Sequence, residues 1–269
     1  MDYIEVSIYP ALEEKREIII SLLAEENFES FAEQGNELLA YIAADKYVPE
    51  KVGNICSQLE VRFTEKRIPA QNWNAEWEKN FEPVLIAGKC FIRAPFHAPR
   101  PDYPFELIIE PKMSFGTAHH ETTGMMIEMM MGMDFQNKKV LDMGCGTGIL
   151  AILACRMGAS EVVAIDNDIW AFSNALENKE RNHSLPMTVK LGDISDAGTG
   201  YDVLLANINR NVLLTQIPAY SKSLKTGDLL LSGFYEEDLE IIRKTAESFE
   251  FVLDRVLIKN RWIAARFSK

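Results

Sequence analysis

The stretch "VLDMGCGTGILAI", Val140–Ile152, decides the fold of this chain of 269 residues. Its first half is an apolar run that predicts a buried strand, and its second half predicts a helix. Between them lie Gly144, Gly146 and Gly148. Glycine permits a tight turn and lets the backbone approach a ligand with no Cβ in the way. A strand, a glycine turn and a helix in this order predict the first unit of a nucleotide-binding α/β sheet.

Residues 105–269 extend that pattern in both directions. Strand patterns alternate with helical ones, and two adjacent strand patterns close the chain. Continuous apolar runs such as Val203–Ala206 and Leu229–Leu231 are typical of central strands that are covered on both faces. We therefore expect a seven-stranded, doubly wound, Rossmann-like α/β sheet that ends in an antiparallel pair.

Residues 1–66 predict a separate small domain, because strands and helices follow one another there in the order β-α-β-β-α-β. That order is typical of a ferredoxin-like α+β domain. Residues 1–65 hold 14 of the 40 acidic and 5 of the 28 basic residues, which is a net charge of −9 out of −12. Such a surface repels nucleic-acid phosphates and favours a basic partner, although acidic helices also serve to keep a small domain soluble.

Residues 67–104 are predicted to link the two domains. Trp73, Trp77 and Phe81 recur every four residues, which places them on one face of a short helix. We interpret that face as an apolar docking surface rather than a platform for stacking bases. Four prolines within residues 95–104 then predict a stiff, extended connector.

The remaining composition favours a cytoplasmic protein with no membrane partner. No run approaches the roughly 18 apolar residues of a membrane-spanning helix. The N-terminal residues carry no pattern of an export signal. The four cysteines are irregularly spaced and contain no CxxC pair, which argues against a zinc knuckle and against a disulfide framework.

Three acidic residues near the ends of predicted strands define the expected ligand. Asp142 precedes the glycine turn, where a carboxylate would repel a pyrophosphate but can attract a cation. Asp166 ends the next strand, at the place where nucleotide-fold enzymes bind two ribose hydroxyls. Asp193 ends the third strand, where an acid can accept a hydrogen bond from an adenine amino group. A cation, a ribose and an adenine without phosphate describe S-adenosylmethionine as the cofactor.

Asn207 lies at the tip of the fourth strand, in "LLANIN", where open α/β sheets place their chemistry. Its amide can accept an N–H bond from an amine and so turn the lone pair of that amine toward a methyl group. The alternative is that Asn207 only caps the helix predicted over "NVLLTQI".

The segment "SFGTAHHETT", Ser114–Thr123, predicts a loop and a helix start that cover the cofactor. A zinc site built on His119 and His120 is the rival interpretation. Adjacent residues rarely point at one metal, however, and no helical HxxxH spacing supports them.

Taken together, "SFGTAHHETT", "VLDMGCGTGILAI", "ANI" and "LLLSGF" resemble the ribosomal protein L11 methyltransferases (PrmA), a family of class I S-adenosylmethionine-dependent methyltransferases. The stretch "NWNAEWEKNFEPVLI" resembles the linker of that family, and the acidic first domain resembles its substrate-recognition domain. The resemblance implies methylation of lysine side chains and of the N-terminal amine of a basic ribosomal protein, with no need to bind nucleic acid.

The resemblance also implies that Thr123, Gly144, Asp166 and Asn207 contact the cofactor. Asn207 is the residue that we expect to orient the reacting amine. The complete set of expected cofactor-binding residues is Phe115, Gly116, Thr117, Thr123, Asp142, Gly144, Gly146, Asp166, Asp193 and Asn207.

The loop over the cofactor departs from the family pattern F-G-T-G-T-H-P-T-T. Here Ala118, His119 and Glu121 replace a glycine, a threonine and a proline. Two other functions remain open at this point. One is a class I methyltransferase for a different substrate, although "NINR" lacks the N-P-P-[YF] tetrapeptide of glutamine- and adenine-directed enzymes. The other is a non-catalytic adaptor that binds ribosomal proteins.

Overall fold

The computed structural model describes residues 2–68, 81–112 and 116–269. The chain divides into two compact units, Met1–Asn80 and Phe81–Lys269. The predicted helix that carries Trp73 and Trp77 lies outside the described residues, and so does Phe115.

The first unit has the predicted order of strands and helices. Its elements are β1 (Tyr3–Tyr9), α1 (Glu13–Glu25), β2 (Ser30–Gln34), β3 (Glu37–Ala43), α2 (Pro49–Gln58) and β4 (Arg62–Ile68). The four strands form an antiparallel sheet in the order β2-β3-β1-β4. Val6 and Ile8, two residues apart on β1, are fully buried together with Ile19 and Leu23 of α1. The ferredoxin-like architecture therefore follows from one apolar face of the sheet packing on a helix.

The second unit opens with a three-stranded sheet of β5 (Val84–Ile86), β6 (Cys90–Arg93) and β7 (Phe105–Ile108). β5 is antiparallel to β6, and β6 is parallel to β7. The sequence pattern places β5 and β6 in the linker, whereas here they are paired strands. The reason is burial, because Cys90, Ile92 and Leu107 belong to the main apolar core of this unit.

The large sheet has seven strands, as predicted. They are β8 (Lys139–Met143), β9 (Glu161–Asp166), β10 (Met187–Leu191), β11 (Tyr201–Asn207), β12 (Leu224–Tyr235), β13 (Val252–Lys259) and β14 (Trp262–Ser268). Their order is β10-β9-β8-β11-β12-β14-β13. β8 to β12 are parallel, and β14 and β13 close the sheet as an antiparallel pair. The strand order reverses direction between β8 and β11, which is where doubly wound sheets bind their ligands.

Helices cover both faces of this sheet. They are α3 (Glu121–Met130), α4 (Ile149–Arg156), α5 (Ile169–Arg181), α6 (Arg210–Ser223) and α7 (Leu239–Glu247). Along β11, Val203 and Leu205 join the core that contains α3 and α4, whereas Leu204 and Ala206 join the core that contains α6 and α7. A strand that is buried on both faces needs apolar residues at every position, which explains the continuous apolar runs. Over the described ranges, no helix combines the length and the apolar character that a membrane crossing requires.

Candidate active site

A cavity of about 600 Å³ lies at the carboxyl ends of the central strands. Cavities of roughly 300–1,000 Å³ are typical of small-molecule sites. Six of the residues predicted from sequence line it, namely Thr123, Gly144, Gly146, Asp166, Asp193 and Asn207. The wall also contains residues that were not predicted, among them His120, Asn167, Asp168, Gly192, Gln216 and Trp262.

The glycine turn needs glycine for two separate reasons. Gly144 and Gly146 have φ angles of +66° and +54°, a region that side-chain-bearing residues rarely adopt. A Cβ at Gly144 would also lie 2.2 Å from Cγ2 of Ile208, the residue that follows β11. The turn therefore fits tightly between two central strands and exposes its backbone to the cavity.

Asp166 is fixed at the end of β9 by two backbone groups. Its Oδ2 accepts the N–H of Gly146 at 2.9 Å, and its Oδ1 accepts the N–H of Asp168 at 3.0 Å. A carboxylate offers about four acceptor positions, so each oxygen can still accept a further hydrogen bond. The arrangement suits a ligand with two adjacent hydroxyls.

Asp193 caps the short 3-10 turn Ile194–Asp196 at the end of β10. Its Oδ1 accepts hydrogen bonds from the backbone N–H and the hydroxyl of Ser195, at 2.7 and 2.6 Å. These bonds lower the pKa of the Asp193 carboxyl. Asp193 is thus a charged acceptor on the cavity wall, in the position that sequence analysis assigned to an amino group of the ligand.

Asp142, one of the predicted cofactor-binding residues, lies behind the cavity and does not line it. Its side chain is 1% exposed, and Oδ2 accepts the N–H of Ala151 in the first turn of α4 at 3.1 Å. Burial raises the pKa of Asp142 to about 7, so the group is only partly charged near neutral pH. In this structure Asp142 supports the first turn of α4.

Gly116 and Thr117 also lie away from the cavity wall. The carbonyl of Gly116 accepts a hydrogen bond from the buried hydroxyl of Thr147 at 2.6 Å, so this loop is tied to the glycine turn. His119 is exposed, and its Nε2 lies 2.9 Å from the carbonyl oxygen of Glu82. Within residues 2–68, 81–112 and 116–269, no group of three His, Cys, Asp or Glu side chains could hold a metal ion. The zinc interpretation therefore gains no support from the described residues.

His120 and Trp262 form an aromatic part of the cavity wall. His120 is the N-cap of α3, where its Nδ1 accepts the N–H of Thr122. Its ring meets Trp262 edge-on at 4.9 Å, and Trp262 packs on Tyr235 at 4.0 Å between ring centroids. The only sequence signal for this wall was the family histidine at position 120. Trp262 comes from β14, far along the chain, and no local motif marks it.

Asn207 is held by α3 and does not cap a helix. Its Nδ2 donates to Oγ1 of the buried Thr123 at 3.2 Å. The N-cap of α6 is Asn209, whose side chain accepts the N–H of Val212 at 3.2 Å. The capping alternative for Asn207 is therefore wrong. With Nδ2 engaged by Thr123, Oδ1 is the acceptor that Asn207 can offer to a ligand.

The charge of the residues that line the cavity fits S-adenosylmethionine better than a dinucleotide. Asp166, Asp168 and Asp193 make the cavity acidic, and among its described lining residues none is lysine or arginine. An acidic wall opposes a pyrophosphate and suits a ligand with a positive centre.

The comparison with known sequences now decides the family. The sequence profile described as "Ribosomal protein L11 methyltransferase (PrmA)" matches residues 6–269. The ribosomal protein L11 methyltransferase of Porphyromonas gingivalis is 43% identical over 266 residues, which are 96% of this chain and 92% of that protein. The chain belongs to the ribosomal protein L11 methyltransferase family.

Solved structures confirm the class I methyltransferase fold that the family name implies. The ribosomal protein L11 methylase of Lactobacillus delbrueckii subsp. bulgaricus superposes with a TM-score of 0.66 at 25% identity, over 70% of this chain and 99% of that chain. A methyltransferase from Pyrococcus furiosus gives a TM-score of 0.52 at 19% identity, over 61% of this chain and 89% of that chain. The second likeness concerns the fold alone.

In this member of the L11 methyltransferase family, a row of two asparagines at the end of α5, Asn178 and the C-cap Asn182, binds the neighbouring backbone, and Asn178 also binds the glycine turn. Asn178 accepts the N–H of Glu110 at 2.9 Å through Oδ1 and donates to the carbonyl of Thr147 at 3.0 Å through Nδ2. One turn later, Asn182 accepts the N–H of Ile108 and donates to its carbonyl, at 2.9 and 2.7 Å. The two asparagines thus bind the backbone of Ile108, the last residue of β7, and of Glu110 as a neighbouring strand would.

Replacing Asn178 by leucine will lower the free energy of unfolding by about 3 kcal/mol, because the partly buried N–H of Glu110 and the buried carbonyl of Thr147 lose their partner. Urea unfolding followed by circular dichroism measures the change. Asn211→Leu is the matched control, since Asn211 is exposed on α6 and should change stability by no more than about 0.5 kcal/mol. Equal stability of the two variants would contradict the assigned role.

Proposed function

We propose that this chain transfers methyl groups from S-adenosylmethionine to amino groups, on lysine side chains and the N-terminus, of ribosomal protein L11. The observation that carries the proposal is the single cavity in which the paired acceptor oxygens of Asp166 lie together with the oriented amide of Asn207. Family membership supports the choice of substrate. A ribosomal substrate would require the enzyme to work in the cytoplasm.

Different residues around the cavity bind different parts of S-adenosylmethionine. Asp166 accepts hydrogen bonds from the ribose hydroxyls, and Asp193 accepts one from the adenine amino group. Gly144 and Gly146 give the ligand access to the backbone of the turn, and Thr123 holds Asn207 beside it. When bound, the cofactor supplies a methyl group that its sulfonium makes electrophilic.

The chain then has to present a neutral amine to that methyl group. An unperturbed lysine has a pKa of about 10.4, so the ammonium must lose a proton to water before the nitrogen can attack. Removal of the amine from water inside the cavity lowers its pKa. Oδ1 of Asn207 accepts an N–H bond from the amine and fixes the direction of the lone pair. Orientation of this kind contributes much of the rate enhancement without a dedicated base.

Incubation of the enzyme with total ribosomal proteins and methyl-labelled S-adenosylmethionine tests the function. We expect one labelled protein, L11, with label on lysine side chains and on the N-terminal amine. Label on a different protein or on ribosomal RNA would replace the proposed substrate. Cofactor binding without any transfer of label would favour the adaptor alternative.

The acidic N-terminal domain, residues 1–66, is proposed to bind the basic substrate. Glu13, Glu14 and Glu17 are exposed on α1. Replacing all three by lysine changes the charge of this helix by six units and should raise the KM for L11 about tenfold at low salt, because opposite charges steer association. Steady-state methylation rates at varied L11 concentration measure the effect.

Two controls separate recognition from damage to the fold or to the cavity. Calorimetry with S-adenosylhomocysteine should give the same affinity for the triple variant and the wild type. At about 1 M salt the difference in KM should shrink, since screening reduces the Debye length to about 3 Å. A KM that is independent of both charge and salt would exclude electrostatic recognition by α1.

A further inference from the structure

Gln216 is a cavity-lining residue of α6 to which neither the motifs nor the proposed reaction gives a role. It is half-buried, and Val212, one turn earlier on the same helix, lines the cavity beside it. One turn later, Tyr220 is fully buried, and its hydroxyl donates to Oε1 of Gln216 at 2.6 Å. Three successive turns of α6 thus run from the cavity wall into the core.

The bond from Tyr220 fixes which end of the Gln216 amide is available to a ligand. A buried hydroxyl needs an acceptor for its hydrogen, and Oε1 is the acceptor that the described residues provide. Burial also raises the pKa of Tyr220, so the hydroxyl keeps its hydrogen. If the amide were reversed, its N–H₂ group would face the hydroxyl and that hydrogen would lose its partner. Oε1 is therefore committed to the core, and Nε2 is the polar atom that Gln216 presents to the cavity.

The position of α6 relates this donor to Asp193. α6 packs against the 3-10 turn Ile194–Asp196, which Asp193 caps, and Gln216 and Asp193 both line the cavity. Asp193 is an acceptor and Gln216 is a fixed donor. The hydrogen-bonding edges of adenine carry an amino group, which donates, and ring nitrogens, which accept. The pair of side chains is complementary to such a base.

We propose that Gln216 is a specificity-determining residue, which donates from Nε2 to a ring nitrogen of the cofactor's adenine, and that Tyr220 is the residue that positions it. This inference rests on the proposed function, since it assumes S-adenosylmethionine in the cavity. It adds an adenine contact from α6 to those expected from the strand ends. It also assigns a role to the buried hydroxyl of Tyr220, which packing of the ring alone would not need.

Calorimetry with S-adenosylhomocysteine on the full-length protein tests the proposal. Gln216→Met keeps the length of the side chain and removes the donor, and we expect about tenfold weaker binding, the effect of one lost hydrogen bond. Gln216→Glu keeps the bond from Tyr220 but turns an acceptor toward the ring nitrogen, and it should weaken binding by more than tenfold. Tyr220→Phe frees the amide to rotate and should weaken binding about threefold, a fraction of that same bond.

The double variant Tyr220→Phe/Gln216→Met separates positioning from general stability. If Tyr220 acts through Gln216, the double variant binds no more weakly than Gln216→Met alone, whereas a purely structural role for Tyr220 would give additive losses. Thr215→Val is the matched control, because Thr215 lies on the exposed side of α6 and should leave the affinity unchanged.

Three results would overturn the proposal. They are unchanged affinity in both Gln216 variants, additive losses in the double variant, and a change confined to the KM for L11, which would assign the donor to the protein substrate. Failure of the wild type to bind S-adenosylhomocysteine would instead overturn the proposed function. The two hypotheses therefore fail in distinguishable ways.

Discussion

Replacing Asp166 by alanine will abolish measurable cofactor binding while the protein stays folded. The carboxylate is held by the N–H groups of Gly146 and Asp168 and is proposed to accept both ribose hydroxyls. Hydrogen bonds to a charged group contribute about 1.5–3 kcal/mol each, so the loss of two corresponds to at least a hundredfold in affinity. Removal of the carboxylate also releases the N–H of Gly146, which loosens the turn. Calorimetry with S-adenosylhomocysteine gives the affinity, and circular dichroism checks the fold.

Asp134→Ala is the matched control for this variant. Asp134 is exposed, and its Oδ1 accepts the N–H of Gln136 at 2.9 Å, two residues later, just as Oδ1 of Asp166 accepts from Asp168. The control therefore removes the same local bond at a site remote from the cavity lining and should leave the affinity unchanged. Similar affinities for Asp166→Ala and the wild type would contradict the ribose site.

Replacing Asn207 by alanine should reduce kcat for methylation of L11 by about a hundredfold or more. Loss of one oriented polar group in an active site typically lowers kcat by about 10²–10³. Here the lost group is Oδ1, whose direction is set by the bond from Nδ2 to Thr123. Single-turnover methyl transfer with labelled cofactor measures the chemical step separately from product release.

Asn211→Ala serves as the control, since Asn211 lies four residues further along the chain, is exposed and does not line the cavity. Its kcat should equal that of the wild type. A single-turnover rate for Asn207→Ala within about threefold of the wild type would show that the amine is oriented by other groups. In that case the backbone carbonyls near the end of β11 would be the next candidates.

The sequence predicted the large sheet well, because local patterns determine its strands. Apolar residues at every position predict strands that are buried on two faces, and the alternate burial of Val203–Ala206 in two cores agrees with this. The position of Asp166 and Asn207 at the cavity could be predicted for a related reason. Each ends a parallel strand, and parallel strands bring their carboxyl ends to one edge of the sheet.

The direction in which a side chain points was harder to predict. Asp142 lies one residue before the end of β8, and successive residues of a strand point to opposite faces. Whether the side chain of Asp142 points toward the cavity or toward α4 depends on how α4 packs against the sheet. The glycine motif alone does not specify this packing. His120, Gln216 and Trp262 line one cavity but come from segments far apart in the chain, so local patterns could not reveal them together.

The short strands β5 and β6 were not predicted, because of the sequence that follows them. Four prolines follow within residues 95–104, and that composition suggested an extended connector. What makes these residues strands is a long-range partner, since Cys90–Arg93 pairs with β7 across the proline-rich segment. Pairing of this kind depends on burial in the common core and not on local propensity.

The asparagine row at the end of α5 should affect how fast the backbone amides that it binds exchange their hydrogens with solvent. The amide hydrogens of Ile108 and Glu110 are bound by side chains of a helix, not by a strand ladder. Their exchange with deuterated solvent should therefore report the separation of α5 from this segment, and should be slower than exchange at exposed loops. Since Asn178 also binds the carbonyl of Thr147, a ligand that stabilises the glycine turn should slow exchange at Glu110 without touching it.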